Sequence, residues 1–370
     1  MKRKDFFKGL AIGAIATPFA IRALTGSSLA QSNASANIIT DRKYRWKMVT
    51  TWPPGFPVIG EACQLFADTV KAMSGGRMEI RVYGGGELVP ALEVFDAVSG
   101  GTAEVGNGAA YYWAGKSPAA QFFASVPFGM NAQQLTSWVV AGGGQALWEA
   151  LYRDFNLIPM LGGNTGVQMG GWFNREINSI NDLRGLKMRI PGLGGDVLAR
   201  AGGSPVLLAG GEIYTGLELG VIDATEWLGP FHDTLMGFQD IAKYYYTPGW
   251  HEPGTALEYV FNKKAFDALP ADLQAILRSA ALHSHVWMFA HMEAKNSETL
   301  VQLIEQGVDI RTFPEEVLAQ LRIYTREVIE ALTAKDAFTR QVYESYEGFR
   351  QKATHWARIS EKQFYNNLET

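Results

Sequence analysis

The 370-residue chain predicts an α/β protein of two lobes, with a ligand cleft between them and long helices at the C-terminus. Three observations carry this prediction. Strand-like and helix-like periods alternate in two successive sets, glycine clusters separate the elements, and from Pro314 onward the pattern is helical almost to the end. The chain is also longer than the ~250–300 residues at which a single core stops growing. Two lobes joined by more than one crossing leave a cleft, where ligands commonly bind and where hinge closure occurs.

The first thirty residues set the compartment. Lys2, Arg3, Lys4 and Lys8 precede an apolar run from Gly9 to Ile21, and small polar residues then lead to Ser28-Leu29-Ala30. That order is the order of a secretory signal, with cleavage expected after Ala30. The apolar run falls short of the roughly 20 residues that span a bilayer, so an uncleaved anchor is the weaker reading. The stretch Arg3-Lys4-Asp5-Phe6-Phe7-Lys8 resembles a twin-arginine signal, but Lys4 stands where the second arginine would be, so the export route stays open. Residues 31–42 are small and polar and read as a flexible leader. Loss of residues 1–30 leaves 28 basic against 36 acidic side chains, a net charge of −8. No basic stripe remains to follow a phosphate backbone, and nucleic acid is not an expected partner. The single cysteine, Cys63, has no internal partner, sits among apolar neighbours and reads as a core residue.

The first set begins with a strand at Tyr44–Thr50, followed by Trp52-Pro53-Pro54-Gly55-Phe56-Pro57, which cannot be helix. Apolar residues at helical spacing fill Ile59–Met73, and Ser74-Gly75-Gly76 ends that helix. Met78–Tyr83 alternates as a strand, Leu88–Ser99 reads as helix, and Glu104–Gly106 reads as a short strand. A long helix over Ala132–Asp154 leads to the second set. Its expected strands are Leu157–Leu161, Gln168–Asn174, Lys187–Ile190, Val206–Leu208 and Val221–Ala224, with helices at Gly194–Ala201 and Gly211–Leu219. The lobes are therefore expected at 43–138 plus 253–295, and at 139–252 plus 296–370.

Enzymatic signatures are missing. There is no phosphate-cradling loop with lysine, no Gly-x-Ser-x-Gly elbow and no His-Glu-x-x-His pair, and the glycine clusters lack the dinucleotide fingerprint. His283 and His285 lie in a helical apolar stretch and read as packed or surface groups.

Between Asn164 and Glu252 the sequence is distinctive. Asp182-Leu183-Arg184-Gly185-Leu186-Lys187-Met188-Arg189-Ile190-Pro191-Gly192, then Gly202-Gly203-Ser204-Pro205-Val206, then Glu212 to Glu226 form spaced blocks. In this order they resemble the solute receptors of tripartite ATP-independent periplasmic (TRAP) transporters. The resemblance extends from the export signal to the C-terminal helices. It implies a periplasmic binding protein fold with mixed sheets, a soluble receptor rather than an enzyme, and membrane subunits of a TRAP transporter as partners. Glu226 followed by Trp227 resembles the branch that binds 2-oxo acids or lactate together with a metal ion.

Individual residues give this chemistry. Arg189 ends a strand before Pro191-Gly192, where a guanidinium can grip a carboxylate through two parallel hydrogen bonds; in the family this arginine is the carboxylate anchor. A surface ion pair is the plainer reading. Two carboxylates, Glu226 and Glu252, brought to one cleft would repel unless a cation lay between them. In similar receptors two glutamates, a tryptophan carbonyl and a glutamine hold one ion. Glu226, Glu252, Trp227 and Gln168 occupy those places here, with sodium and calcium both open. A 2-oxo or 2-hydroxy monocarboxylate chelates such a cation through a carboxylate oxygen and the neighbouring oxygen, leaving the second carboxylate oxygen for Arg189. Asn164 is expected to donate to the ligand. Tyr111, Tyr112 and Phe231, with Trp52 a weaker candidate, are expected at the apolar end of the pocket, although aromatics are more often core. The rival readings are a metal-dependent enzyme acting on a 2-oxo acid and a receptor for an ATP-driven importer. Related receptors also imply a homodimer through the C-terminal helix.

Overall fold

The computed structural model describes residues 42–368. The expected export signal, its cleavage after Ala30 and residues 31–41 of the leader lie outside the described residues. Eleven strands occur among those described: β1 Tyr44–Thr50, β2 Met78–Tyr83, β3 Val105–Gly108, β4 Leu157–Asn164, β5 Gly171–Phe173, β6 Lys187–Arg189, β7 Ser204–Val206, β8 Ala224–Thr225, β9 Tyr244–Thr247, β10 Ala256–Asn262 and β11 Asp309–Thr312. They form two sheets, in the orders β2-β1-β3-β10-β4 and β11-β9-β5-β8-β6-β7. Both are mixed. In the first, β10 runs antiparallel to β3 and β4 beside parallel β1, β2 and β3. In the second, β5 runs antiparallel to β8 and β9, while β6 is parallel to both β7 and β8.

The first helix, Ile59–Met73, buries Ile59, Ala62, Cys63, Phe66, Ala67 and Val70, the three-and-four spacing that gives a helix one apolar face. It stops where Gly75 and Gly76 take φ of 61° and 76°, a left-handed conformation that glycine enters without strain. Cys63 is fully buried in this layer, as expected.

Several elements differ from expectation. The helix expected over Ala132–Asp154 is two, Ala132–Ala141 and Gly144–Tyr152, broken where Gly143 adopts φ 91°. Of the helix expected over Leu88–Ser99, only Val94–Ser99 is α-helical. Pro90 holds its upstream neighbour away from helical geometry. Val221 is exposed after Gly220 at φ 70°, and the strand expected over Val221–Ala224 begins only at Ala224 and runs on to Thr225 as β8.

The lobe boundaries also shift. Leu157–Asn164 belongs to the first sheet, since β4 pairs with β10 over nearly its whole length and is buried on both faces. The chain therefore passes to the second sheet through residues 165–170, not at 139, and returns through 248–255. A 35-residue helix, Ala271–Glu305, then leads from the first sheet to β11 in the second. The C-terminal helices divide between the lobes. Glu315–Lys335 lies on the second, where Glu327 pairs with Arg200 at 2.7 Å. Asp336 breaks the helix and caps the next, its carboxylate accepting from the Thr339 amide at 2.6 Å. Ala337–Ile359 then packs on first-lobe residues: the Tyr346 hydroxyl accepts from the Met130 amide at 2.8 Å, and its ring stands edge-on to Trp138. Residues 337–359 therefore join the first lobe rather than the second, because their buried face matches that surface.

Candidate functional site

Two neighbouring strands deliver the central pair. β6 and β8 run parallel with Arg189 opposite Thr225, so Arg189 and Glu226 emerge together at the strands' C-terminal ends, where α/β sheets present ligand sites. Both side chains are 1% exposed. The Arg189 guanidinium donates to Glu226 Oε1, and it reaches the Leu208 carbonyl and the Tyr112 hydroxyl at 3.4 and 3.3 Å. It also lies 5.1 Å from the Trp227 ring centroid, a cation–π distance. Burial pulls the Arg189 pKa down, yet Glu226 and the two tyrosines hold it above its ordinary value.

The two crossings between sheets supply the next residues. Gln168 comes from the outgoing segment and Glu252 from the returning one, and they clasp through the backbone: the Gln168 amide donates to the Glu252 carbonyl at 3.2 Å. Gln168 Nε2 donates to Glu252 Oε2 at 2.7 Å, and the Thr255 hydroxyl donates to the same oxygen. Gln168 Oε1 and Glu226 Oε2 are buried acceptors without a hydrogen-bond donor. Leaving such groups unmatched costs ~1–3 kcal/mol each. Burial pushes the Glu226 pKa up to about 7 against the pull of Arg189, and burial together with Glu226 pushes Glu252 up to about 7. Two buried carboxylates within 4.8 Å of one another, beside a buried amide oxygen that lacks a donor, are a set of oxygens that a hard cation fits.

Asn164 ends β4; its Oδ1 accepts from the Gly166 amide at 2.9 Å, while Nδ2 is buried without a partner. The first lobe closes the site with the 3-10 turn Ala110–Trp113. Tyr111 reaches Glu252 Oε2 at 3.5 Å, and the Tyr111 and Tyr112 rings stand edge to face at 4.8 Å. Buried Glu258 anchors this turn, accepting from Trp113 Nε1 at 2.5 Å and from the Tyr152 hydroxyl at 2.9 Å. Trp52 stands 6.4 Å from Tyr112 and 6.5 Å from Trp227 in an aromatic wall that also holds Phe56. A groove of about 270 Å³ lined by Tyr111, Tyr112, Pro191 and Leu207 opens beside the site.

The structure thus brings together Arg189, Glu226, Trp227, Glu252, Gln168, Tyr111 and Tyr112, with Asn164 at the end of β4 beside the outgoing crossing. It turns Phe231 elsewhere. That side chain sits on the helix Pro230–Leu235 beside His232, its amide donates to Asn296, and Lys295 lies 6.0 Å over its ring. Phe231 therefore faces the helix Ala271–Glu305, because the Gly229-Pro230 turn starts a helix that packs there. Four residues escaped the sequence reading: His251, Thr255, Phe56 and Thr165, whose hydroxyl accepts from Gln168 Nε2 at 3.1 Å. His251 had one available signal, its place beside Glu252. Its ring is buried, Nε2 lies 3.5 Å from Glu226 Oε2, and burial pushes its pKa down to about 4. His285, by contrast, is packed as expected between the Gly163 carbonyl and Thr136.

The sequence model of the bacterial extracellular solute-binding proteins, family 7, matches residues 48–336. The chain belongs to this family. It is 40% identical over 366 residues, 99% of its length and 98% of the relative's, to a monocarboxylate 2-oxoacid-binding periplasmic protein of a Nostoc species. Among solved structures it resembles a TRAP periplasmic solute-binding protein from Colwellia psychrerythraea with bound calcium and pyruvate. That match has 42% identity and a TM-score of 0.86, covering 88% of this chain and 100% of that one. A second, from Pseudoalteromonas atlantica with bound sodium and pyruvate, matches at 42% identity and a TM-score of 0.87, covering 89% and 100%. The expectation of a receptor rather than an enzyme agrees with the family, whose members bind solutes outside the cytoplasm. Among the described residues no helix is long and apolar enough to cross a membrane.

Proposed function

We propose that this chain captures a small 2-oxo or 2-hydroxy monocarboxylate outside the cytoplasm, through one sodium or calcium ion and Arg189, and delivers it to the membrane subunits of a TRAP transporter. The observation that carries this reading is the buried Arg189–Glu226 pair beside Glu252 and Gln168, with acceptor oxygens left over. Glu226, Glu252, Gln168 Oε1 and the Trp227 main-chain carbonyl would hold the ion. When bound, a hard cation offers a Lewis-acidic point for two neighbouring ligand oxygens. Arg189 takes the remaining carboxylate oxygen, and the Tyr112 hydroxyl beside it orients the guanidinium. Tyr111 and Tyr112 come from the first lobe and Arg189 from the second, so a ligand touching both favours the closed form. Asn164 Nδ2, buried and unmatched, would donate to the ligand. Calcium- and sodium-bound pyruvate in the two similar structures supports this ligand class. Export with cleavage after Ala30 belongs to the same reading.

Isothermal titration with pyruvate, lactate and acetate, each with and without sodium or calcium, tests it. Binding of pyruvate or lactate that requires an ion, with acetate much weaker, is expected; ion-independent or equal binding of acetate overturns it.

A homodimer through the C-terminal helices is part of the proposal. Trp356, Ile359, Phe364 and Tyr365 are all more than 60% exposed along one terminal stretch, an apolar surface that a second copy would cover. Sedimentation of the mature protein should show a dimer that Trp356→Glu dissociates; a monomer at micromolar concentration refutes it.

A further inference from the structure

The proposed ion ligands are all oxygens, but the structure places a nitrogen among them. His251 is fully buried, and neither Nδ1 nor Nε2 has a hydrogen-bond partner. A buried imidazole normally spends at least one ring nitrogen on a hydrogen bond. Here the ring is aimed at the carboxylates, with Nε2 3.5 Å from Glu226 Oε2. One ligand atom each from Glu226, His251 and Glu252 lie within 4.8 Å of one another. Donors on a first-row ion, with bonds of ~2.0–2.2 Å, stand at most ~4.0–4.4 Å apart, so these three atoms share one centre after closing by a few tenths of an ångström at most.

The ring is held in place from several sides. A Cβ added at Gly194 would come within 3.0 Å of the His251 Cβ, so glycine there lets the helix Gly192–Arg200 pass close behind it. Trp250 stands edge-on to it at 5.4 Å and is itself fastened through the Phe128 amide, which donates to the Trp250 carbonyl at 2.8 Å. A side chain this constrained is pre-organised as a ligand, and small rotations separate its present position from coordination.

We propose that this site also accepts a first-row divalent transition ion, with His251 as its nitrogen ligand beside Glu226 and Glu252. This inference rests on the ion-dependent receptor reading and extends it to a second class of metal. Sodium and calcium prefer oxygen donors and leave the imidazole a bystander, whereas imidazole suits the later first-row ions, whose affinities rise toward copper. The receptor thereby distinguishes ions by whether His251 is engaged. A 2-oxo acid presented as a chelate of such an ion becomes a ligand of the same pocket.

Cobalt(II) is the probe, used with the full mature protein. The wild-type protein should bind Co²⁺ at least tenfold more tightly than Ca²⁺, in competition with it. Its proton spectrum should show one strongly shifted, exchangeable imidazole N–H that vanishes in D₂O. His251→Ala and the bulkier His251→Gln should both lose that signal and lower the Co²⁺-to-Ca²⁺ affinity ratio at least tenfold. The spectrum of the wild-type protein decides the matter even if neither variant folds: cobalt bound in competition with calcium without a shifted imidazole N–H overturns the inference, as does an unchanged ratio in a folded variant. Calcium-dependent pyruvate binding by the wild-type protein is measured in parallel. If it persists while the cobalt signature is missing, His251 is no ligand and the receptor reading stands; if it is missing while the cobalt signature is present, the reverse holds.

Discussion

Replacing Arg189 by methionine keeps the apolar stem of the side chain to about the Nε position and removes the charged fork. In the structure Glu226 Oε1 loses its guanidinium partner, and Oε2 already has no hydrogen-bond donor, so a carboxyl 1% exposed is left without partners. Truncating one member of a buried charge pair costs ~2–5 kcal/mol. The same cost applied to the pair Arg189 is proposed to make with the ligand carboxylate is a loss of about 30-fold to several thousand-fold in affinity. Arg189→Lys keeps the charge but not the two-pronged geometry, and is expected to fall between wild type and Arg189→Met. The assay is isothermal titration with pyruvate at saturating calcium, with circular dichroism and thermal melting to show that each variant is folded. A folded Arg189→Met protein that binds pyruvate within about threefold of wild type refutes the assignment of Arg189 as carboxylate anchor.

Three further outcomes follow from the same geometry. Glu226 and Glu252 have folded pKa values raised from 4.5 to about 7, so the ion-free protein holds their protons more tightly than the unfolded chain; this contribution to stability is present below pH 4.5 and is lost as pH rises through 7. The ion-free melting temperature should therefore fall between pH 5 and 8 relative to the calcium-loaded protein, calcium affinity should climb to about pH 7 and level off, and calcium binding at pH 6 should release protons detectable as buffer-dependent heat. Because ion and acid share one site, the factor by which calcium strengthens pyruvate binding must equal the factor by which pyruvate strengthens calcium binding; Glu252→Gln should weaken both together, and a variant that lost only one would separate them. Cys63, fully buried with its thiol pKa pushed up to about 12, should resist a thiol reagent in the native state and react only on unfolding, and rapid native labelling would contradict its packing.

What was legible in the chain is what local pattern encodes. The apolar face of Ile59–Met73, its glycine stop, and the strands Tyr44–Thr50 and Met78–Tyr83 lie where periodicity and breakers put them. The second lobe's Arg189-x-Pro-Gly strand end was readable because proline and glycine punctuate it and a charged residue precedes them. Strand partnership was not readable. Leu157–Asn164 has the same local pattern in either sheet, and only its antiparallel pairing with Ala256–Asn262, about a hundred residues on, places it in the first. The short strands Tyr244–Thr247 and Asp309–Thr312 were missed for the same reason, since they are stabilised by partners distant in sequence. Arg189 and Glu226 could be paired through a family resemblance, but their side-by-side emergence follows from the β6–β8 register. His251 went unselected because nothing in Trp250-His251-Glu252 tells which of two adjacent side chains turns inward; here both do.

The clasp between Gln168 and Glu252 has a consequence for timing. Those residues lie on the two segments, 165–170 and 248–255, that join the sheets and would form the axle of lobe closure, whereas Arg189 and Glu226 stand together on one jaw and Tyr111 and Tyr112 on the other. A group bound at the axle is reachable in every posture of the molecule, while one gripped by the jaws is exposed only when they part. Under the proposed function an ion held by Glu252 and Glu226 would span axle and jaw, so whole-lobe rotation on the microsecond-to-millisecond scale would act on ion and acid together.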